Sequence, residues 1–321
     1  MVRFNENSTT DEVLNGLDLN GKRVLVTGVS AGLGLETARS MASRGAHVIG
    51  TVRDVSKAKA AMQSVCGDNR HNENVELIRL DLASLASVRS CADSLVAAGR
   101  TFDVIINNAG VAHPPFGHTA DGFEIQMGTN HLGHFVFTNR IAHLIAPGGR
   151  VVIVASAAHR FSDIDLDDMN YENTTYDPFS SYGRSKTACI LFGVEFDRRH
   201  KDRGVRATSV HPGVISTKLT RHIGQSTLDG MVEGINFERL SAGKPLFHYK
   251  TVPQGAATSV WAGFVAHADE IGGRYCENCH VAEVVEGPLD PVEEGLYAYA
   301  IDPTRAKALW EKSERLVKER F

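Results

Sequence analysis

Short apolar runs rich in β-branched residues alternate along this chain with longer stretches in which apolar positions recur every three or four residues. The short runs are typical of buried strands, and the longer amphipathic stretches are typical of helices. The predicted strands are Val24–Val26, His47–Val52, Val75–Leu80, Val104–Ile106, Val151–Val154 and Val205–Val210, followed by a last one at Gly273–Glu277. The predicted helices are Leu33–Arg44, Val55–Val65, Leu85–Ala98, Asp121–Ile145 and Ser180–His200. This alternation predicts a doubly wound α/β fold, with a parallel sheet covered by helices on both faces.

No linker or internal repeat interrupts the pattern, so we expect residues 1–321 to form a single domain. Residues 1–21 are predicted to be an N-terminal extension with a short helix, because Thr9 and Glu12 have the spacing of a capping box. Residues 216–251 break the alternation, and we expect a substrate loop or lid there. Residues 303–321 predict a C-terminal amphipathic helix whose charges face solvent.

Composition narrows the class of partner and the compartment. The 321 residues are 42% hydrophobic and 22% charged, with a net charge of −4 and no long run of Lys or Arg. We therefore expect a small-molecule partner rather than nucleic acid or an anionic membrane. No apolar stretch approaches the roughly 18 residues of a membrane span, and the N-terminus lacks an apolar signal core, which predicts a cytoplasmic protein. The odd number of scattered cysteines favours reduced thiols over disulfides: Cys66, Cys91, Cys189, Cys276 and Cys279.

A glycine-rich turn, TGVSAGLG at residues 27–34, joins the first predicted strand to the first predicted helix. Glycines let a backbone approach a diphosphate closely, and a helix N-terminus offers free N–H groups and a favourable dipole. Such a turn can also be no more than a tight connection. Its position at the first crossover favours a dinucleotide site. The candidate cofactor-binding residues of this turn are Gly28, Ser30, Gly32, Leu33 and Gly34.

The end of the second predicted strand indicates which dinucleotide binds. A carboxylate usually occupies this position in NAD-binding proteins, where it holds the ribose 2′-hydroxyl. This chain has Val52 and then Arg53, whose guanidinium can pair with a 2′-phosphate, so NADP(H) is favoured over NAD(H). Asp54 could neutralise Arg53 or cap the next helix. Ser30 could add a hydroxyl to the same phosphate.

Further candidates follow other predicted strands, at the edge of the sheet where open α/β folds bind ligands. Asp81 and Leu82 are placed near the adenine, although Asp81 could instead cap a helix. The sequence NNAG at residues 107–110 brings two amides and a glycine to the crevice, and it supplies Asn108, Ala109 and Gly110 as cofactor contacts. Val214 and Thr217 could meet a nicotinamide carboxamide, or they could belong to a simple loop.

Tyr182 and Lys186 lie four residues apart on a predicted helix and therefore share one face. A nearby ammonium stabilises a phenolate, which brings a tyrosine with an ordinary pKa of about 10 into the range of acid–base chemistry. Chance also produces this spacing, as a half-buried Tyr beside a solvated Lys. Ser156 follows the fifth strand, where its hydroxyl could polarise a carbonyl or cap the next segment. Asn130, inside a helical pattern, indicates either a bend that frees a backbone carbonyl for a water or an exposed position.

The order and spacing of these motifs resemble the short-chain dehydrogenase/reductase family over roughly Lys22 to Glu283. The resemblance rests on residues 27–34, NNAG at 107–110, Asn130, Ser156 and YGRSK at 182–186. The segments DLNGK at 18–22, NHLGHF at 130–135 and GGRYCENC at 272–279 are similar to the narrower retinol-dehydrogenase and WW-domain-oxidoreductase-like branch. That branch usually carries Ser-Ser after the fifth strand. Here the pair is Ala155-Ser156, so the second position must supply the hydroxyl.

The resemblance implies a Rossmann fold whose seven-stranded parallel sheet has the order 3-2-1-4-5-6-7. It also implies four catalytic residues. Tyr182 would be the general acid and base, and Ser156 would hold the same substrate oxygen. Lys186 would stabilise the phenolate and bind the nicotinamide ribose, and Asn130 would link it to solvent through a water. Homodimers and homotetramers are the assemblies that the resemblance leads us to expect.

The function predicted from this sequence is NADP-dependent interconversion of an apolar ketone or aldehyde and its alcohol. An apolar substrate is expected because residues 216–251 carry many apolar side chains that could line a pocket. The alternatives are a C=C reductase on the same scaffold and a non-catalytic cofactor sensor or scaffold. Residues 276–280 read CENCH, the pattern of haem attachment, but a second CxxC is absent from the sequence and we predict no metal.

Overall fold

The computed structural model describes residues 3–66, 74–290 and 292–321. These residues contain one eight-stranded sheet of order β3-β2-β1-β4-β5-β6-β7-β8. All neighbouring strands are parallel except β8, which runs antiparallel to β7. The strands are β1 Arg23–Thr27, β2 His47–Val52, β3 Val75–Arg79, β4 Phe102–Asn107, β5 Ile145–Val154, β6 Arg206–His211, β7 Tyr275–Glu277 and β8 His280–Val281. The predicted doubly wound Rossmann fold and its seven-strand order are confirmed.

The eighth strand is a correction to the prediction of seven. It follows β7 through a two-residue turn in which Asn278 and Cys279 both have left-handed backbone angles, with φ of 49° and 61°. Two such residues make the turn that best matches the twist of a hairpin. The strand itself has only two residues, so it leaves no alternation that the sequence could display.

Helices cover both faces of the sheet and bury two apolar layers. They are α1 Thr10–Val13, α2 Gly32–Ala42, α3 Val55–Cys66, α4 Leu85–Ala97, α5 Gly133–Arg140, α6 Pro178–His200, α7 Gln225–Ser241, α8 Val252–Phe264, α9 Ala268–Ile271 and α10 Pro303–Val317. Successive residues of a strand face opposite sides, so Leu25 belongs to one layer and Val24 and Val26 belong to the other. Because both faces are buried, the central strands read as continuous apolar runs.

The single helix predicted over Asp121–Ile145 is wrong at both ends. Helical structure begins with a π-helical turn at Met127–Leu132, continues as α5 and is already replaced by β5 at Ile145. At its start, the buried carboxylate of Glu124 accepts hydrogen bonds from the backbone N–H groups of Gln126 and Met127, at 2.9 and 2.7 Å. These bonds satisfy backbone donors at the helix N-terminus, where no intrahelical partner is available.

Residues 216–251 contain a helix that the sequence pattern did not predict. After a short turn at Lys218–Thr220, α7 runs over Gln225–Ser241 and buries none of its side chains. Met231, Phe237 and Leu240 are 42%, 74% and 62% exposed. An amphipathic pattern is strongest where one face is fully buried on a core, and α7 has no fully buried side chain. The role of this segment as a lid stays a prediction.

The two ends of the chain are tied to the domain by polar contacts. Thr9 and Glu12 form the predicted capping box at the start of α1. The C-terminal helix ends at Val317, short of the predicted Phe321. Glu319 then accepts from Arg89 and Arg140 at 3.1 and 2.7 Å, so one charge expected to face solvent instead fastens the tail.

Four cysteines are free thiols in buried positions: Cys91, Cys189, Cys276 and Cys279. The side chain of Cys66, the fifth predicted thiol, lies outside the described part of the chain. Among the described residues, no helix combines the length and the apolar character needed to cross a membrane.

A buried histidine joins α10 to the layer beneath it. The Nε2 atom of His131 lies 2.8 Å from the hydroxyl of Ser313, and its ring packs near Phe135 and Phe192 with centroid separations of 5.8 and 6.1 Å. Burial lowers the pKa of His131 to about 3. The imidazole is therefore neutral in the folded protein at neutral pH.

Replacing His131 by Phe should reduce the dependence of stability on pH. The folded protein protonates His131 only near pH 3, whereas the unfolded chain does so near the ordinary pKa of about 6.5. As the pH falls below about 6.5, the unfolded state binds the extra proton, and the free energy of unfolding drops by up to about 1.4 kcal/mol per pH unit. Phe keeps a ring in the core but cannot bind that proton.

Urea unfolding between about pH 5 and pH 7 measures this slope. His131→Phe should have the smaller slope, whatever its absolute stability. The matched control is His143→Phe, because the side chain of His143 is exposed. Equal slopes for His131→Phe and the unsubstituted protein would contradict the assignment.

Candidate active site

The predicted site residues come from turns after β1, β2, β3, β4, β5 and β6 and from the helices that follow them. Parallel strands bring their carboxyl ends to one edge of a sheet, and a crevice forms there between β1 and β4, where the strand order reverses. Residues distant in the chain therefore meet at this edge. The described residues contain no group of three or more His, Cys, Asp or Glu side chains arranged to hold a metal ion.

The hydroxyl of Thr27, the last residue of β1, locks the end of β4 in place. Thr27 Oγ1 accepts hydrogen bonds from the backbone N–H groups of Asn108 and Ala109, at 2.9 and 3.0 Å. In return, the Asn108 amide donates to the Thr27 carbonyl at 2.8 Å. Sequence reasoning missed Thr27. Thr27 opens the glycine-rich motif at residues 27–34, but it was not among the predicted site residues.

His134 extends this connection to the helices behind the crevice. Its Nε2 atom lies 2.9 Å from Thr27 Oγ1, and its Nδ1 atom lies 3.0 Å from the carbonyl oxygen of Asn130. A carbonyl can only accept, so Nδ1 carries the proton and Nε2 accepts from the threonine hydroxyl. Burial lowers the pKa of His134 to about 4, which keeps this arrangement neutral. One imidazole thus sets the spacing between β1 and the turn that holds Asn130.

The glycine turn has the shape expected for a diphosphate. Gly28 has a φ of +76°, and a Cβ atom there would lie 2.8 Å from the Cβ of Ala109. A Cβ on Gly34 would overlap the Gly28 carbonyl and the Asn108 amide. At the N-terminus of α2, Ala31 supplies no side-chain cap, so the first N–H groups remain available to an anion. These features fit the diphosphate of a dinucleotide, with Gly32 and Leu33 in the first turn.

The residues expected at the adenosine end are accessible. Ser30 and Arg53 are both exposed, and within the described part of the chain Arg53 forms no hydrogen bond or ion pair. The alternatives for Asp54 are now resolved. Asp54 Oδ1 accepts from the backbone N–H of Lys57 at 3.1 Å, so it caps α3 and leaves Arg53 free.

Asp81 does not cap α4, because Ser84 does so by accepting from the backbone N–H of Ser87. Instead, Asp81 Oδ1 accepts from Ala83 N–H at 3.0 Å, forming a local turn, while Leu82 is buried beside it. The helix-cap alternative for Asp81 is therefore wrong. Its predicted contact with adenine stays a prediction.

The two amides of the NNAG motif do not both face the crevice. Asn108 does, but Asn107 is buried and donates to the Thr138 hydroxyl of α5 at 2.8 Å. Residue alternation along β4 explains the correction, since neighbouring side chains point to opposite sides.

Thr217 and Val214 approach the crevice from the segment after β6. The methyl group of Thr217 would lie 3.8 Å from a Cβ placed on Gly32, so Thr217 stands over the glycine turn. Val214 is 38% exposed, and its carbonyl accepts from the backbone N–H of Lys250 at 3.0 Å. Thr217 therefore borders the region where we place the cofactor, and the predicted cofactor contact of Val214 stays a prediction.

The helix α6 carries Tyr182 and Lys186 with both side chains buried, at 7% and 4% exposure. The Lys186 ammonium donates to the carbonyl of Val154, the last residue of β5, at 2.8 Å. It lies 5.7 Å from the centre of the Tyr182 ring. The alternative of a solvated lysine is wrong, because the ammonium is anchored inside the protein beside the phenol.

Ser156 caps the turn Ala157–Phe161, and its Oγ accepts from the backbone N–H of Ala158 at 3.1 Å. The capping alternative is thus present, yet it uses the hydroxyl only as an acceptor. The O–H remains available to donate to a substrate oxygen. Ala158 packs against Tyr182, which puts the serine turn beside the tyrosine.

Asn130 lies in the π-helical turn and is only 1% exposed, so the predicted bend is present and the exposed alternative is wrong. Its amide donates to the Val111 carbonyl and to Ser185 Oγ, both at 2.9 Å, and accepts from Val111 N–H at 2.8 Å. The backbone carbonyl of Asn130 accepts from His134 and from the Cys189 thiol, at 3.0 and 3.3 Å, and the predicted link from Asn130 to a water stays a prediction. Asn130 therefore fastens α6 to the turn after β4.

His113 is a further neighbour that sequence reasoning missed. Its ring lies 4.8 Å from the Tyr182 ring and 4.4 Å from that of Phe179. Its φ of 54° is unusual for a residue with a side chain, and burial lowers its pKa to about 4. A histidine three residues after Gly110 was the only available signal. The neutral imidazole of His113 therefore packs beside the ring of Tyr182.

The chain resembles known proteins over most of its length. The family described as short chain dehydrogenase matches residues 22–227. Retinol dehydrogenase 14 of Mus musculus is 36% identical, over 93% of this chain and 86% of that protein. The WW domain-containing oxidoreductase of Danio rerio is 36% identical, over 99% of this chain and 74% of that protein. The crystal structure of an uncharacterized protein from Mycobacterium paratuberculosis is 33% identical, with a TM-score of 0.72, covering 96% of this chain and 98% of that one.

Replacing Thr27 by Val should destabilise the crevice, because two buried N–H groups would lose their acceptor. An unsatisfied buried donor costs about 1–3 kcal/mol. We expect Thr27→Val to lower the free energy of unfolding by about 2–4 kcal/mol and to weaken NADPH binding at least about tenfold. Thr27→Ser keeps the hydroxyl, so it should retain most of the stability and most of the NADPH affinity. Denaturant unfolding and a fluorescence titration measure the two effects, and equal behaviour of the two variants would refute the role of this hydroxyl.

Proposed function

Because the chain belongs to the short-chain dehydrogenase/reductase family, we propose that it interconverts an apolar ketone or aldehyde and its alcohol with NADP(H). Membership makes it an oxidoreductase that acts on CH–OH or C=O groups of a small molecule with a nicotinamide cofactor. The choice of NADP(H), the apolar substrate and the roles of individual residues are the further steps of the proposal.

One observation carries the mechanism: the buried ammonium of Lys186 lies 5.7 Å from the ring centre of Tyr182. A positive charge fixed beside a phenol interacts more favourably with the phenolate than with the neutral phenol. The Val154 carbonyl prevents the ammonium from moving away. Tyr182 therefore acts as general acid during reduction and as general base during oxidation.

Ser156 shares the substrate oxygen with Tyr182. Its lone pair is engaged by Ala158 N–H, so its proton is the group offered to the oxygen on which negative charge develops. The glycine turn and the N-terminus of α2 would hold the cofactor diphosphate, and the bound nicotinamide would supply or accept the hydride. Asn130 acts by fixing α6 through Ser185, which places Tyr182 and Lys186 opposite the crevice.

The preference for NADP(H) is supported by the surroundings of Arg53. Asp54 caps α3 and does not pair with Arg53, so the guanidinium is free to meet a 2′-phosphate. Ser30 is exposed on the preceding turn, as the phosphate contact requires.

An apolar substrate is supported by the side chains around the tyrosine. Ala112, Ala158 and Leu219 pack with Tyr182, and Leu219 comes from the segment 216–251. A substrate with apolar groups beside its carbonyl would cover this surface favourably. A sensor role needs no acid, base or hydroxyl donor, so the assembled groups favour turnover.

Tyr182→Phe removes the proton donor and should lower kcat by about a hundredfold to ten-thousandfold. Ser156→Ala should lower kcat by roughly a hundredfold, on the scale of other oxyanion donors. Both variants should still bind NADPH. The measurement is NADPH oxidation with a panel of aldehydes and ketones, with product analysis to separate C=O from C=C reduction. The mechanism would be refuted if Ser156→Ala turned over as fast as the unsubstituted protein. It would also be refuted if the unsubstituted protein bound NADPH but reduced no aldehyde or ketone of the panel.

Arg53→Gln should weaken NADPH binding by about tenfold or more and change NADH binding little, because only NADPH carries the 2′-phosphate. Lys57→Gln, which removes an exposed cation on the same helix turn, is the matched control and should affect both cofactors slightly. Fluorescence titrations measure the affinities of each protein for NADPH and for NADH. If the unsubstituted protein binds NADH more tightly than NADPH, the assignment of Arg53 is overturned.

A further inference from the structure

Two buried histidines bind opposite edges of one peptide group, the one that joins Ser156 to Ala157. On one edge, His159 Nδ1 lies 2.8 Å from the carbonyl oxygen of Ser156. On the other edge, the N–H of Ala157 donates to His211 Nδ1 at 3.2 Å. Because the C=O and N–H of a trans peptide point in opposite directions, these two bonds together fix the rotation of the peptide plane.

The chemistry of the peptide determines the tautomer of each imidazole. The Ser156 carbonyl can only accept, so His159 must carry its proton on Nδ1. The Ala157 N–H can only donate, so His211 must leave Nδ1 unprotonated. Burial lowers the pKa of His159 to about 4 and that of His211 well below its usual value, so both are neutral at neutral pH.

The first of these histidines is itself held firmly. Its side chain is fully buried, and the ring of Tyr275 on β7 packs against it edge-on with centroids 5.1 Å apart. Its backbone carbonyl accepts from the hydroxyls of Tyr299 and Thr187. The donor on His159 Nδ1 therefore has little freedom to follow the serine if the turn moves.

The peptide plane controls the serine hydroxyl through the next residue. Ser156 Oγ accepts from Ala158 N–H, and the position of that N–H depends on the rotation of the peptide between Ser156 and Ala157. A displacement of about 1 Å at a reacting group can cost roughly a hundredfold in rate. Groups that orient a reactive side chain through hydrogen bonds therefore matter even without touching substrate.

We propose that His159 and His211 are positioning residues that aim the Ser156 hydroxyl at the reacting oxygen, an inference that rests on the proposed oxidoreductase function. His159 can be tested with two amide replacements. Both remove the imidazole ring, but only one of them keeps a donor that can reach the Ser156 carbonyl. The amide nitrogen of His159→Asn can take the place of Nδ1 and donate to Ser156. That of His159→Gln reaches further along the side chain, near the place of Nε2, and does not reproduce the bond.

We expect His159→Gln to lower kcat by about tenfold to a hundredfold with KM and NADPH affinity changed less than about threefold. His159→Asn should recover at least about a third of the original kcat. Thermal melting of both variants shows that each is folded at the assay temperature. Equal kcat values for His159→Gln and His159→Asn would overturn the proposal.

A double-variant cycle tests whether His159 acts through Ser156. When the serine hydroxyl is already removed in Ser156→Ala, adding His159→Gln should lower kcat by no more than about twofold further, because no hydroxyl remains to be aimed. A loss as large as that seen with Ser156 present would show that His159 acts by another route, and would refute the proposal.

Crystal structures of His159→Gln and His159→Asn provide a readout that needs no turnover. The peptide between Ser156 and Ala157 should rotate and displace Ser156 Oγ in His159→Gln, and it should keep its orientation in His159→Asn. An undisturbed serine turn in His159→Gln would overturn the inference. If the turn moves as expected while no carbonyl in the panel is reduced, the positioning role stands and the proposed function fails.

Discussion

The hydroxyl of Thr27 is the contact on which the crevice depends. It accepts from two backbone N–H groups at the end of β4 and meets the imidazole of His134, which in turn holds the carbonyl of Asn130. Asn130 then reaches Ser185 on α6, the helix of the tyrosine and the lysine. A continuous series of buried hydrogen bonds therefore runs from the strand below the cofactor site to the proposed acid–base pair. Buried polar groups are costly when unpaired, so such a series tolerates little displacement.

Neutral histidines hydrogen-bond to backbone groups at several positions in this site. His134, His159 and His211 each use a ring nitrogen to hold a backbone group, and burial lowers the pKa of all three. A neutral imidazole offers one donor and one acceptor on a rigid ring, so it can fix two neighbours without introducing a charge. Lys186 is then the positive charge beside the Tyr182 ring. Charged histidines around Tyr182 would be expensive to bury.

Much of the site was predictable because strand ends and turns have strong local signals. The glycine turn, Asn108, Ser156, Tyr182 and Lys186 lie at the predicted ends of elements, and the parallel sheet brings them to one edge. The failures have physical causes. Helix α7 has no fully buried side chain to give it a pattern, and β8 has only two residues.

The order of the strands came from the family resemblance, whereas the sequence by itself determined the fold class and the chemical groups available at the carboxyl edge of the sheet. These follow from periodicity and from residue types at strand ends, which act over a few residues. Only the tertiary structure decided which of those groups are free and which are engaged. It left Arg53 without a hydrogen bond or ion pair to any of the described residues, directed Asn107 away from the crevice and placed two histidines on one peptide of the serine turn. Hydrogen bonds between residues far apart in the chain depend on how layers pack, and local patterns carry no record of that packing.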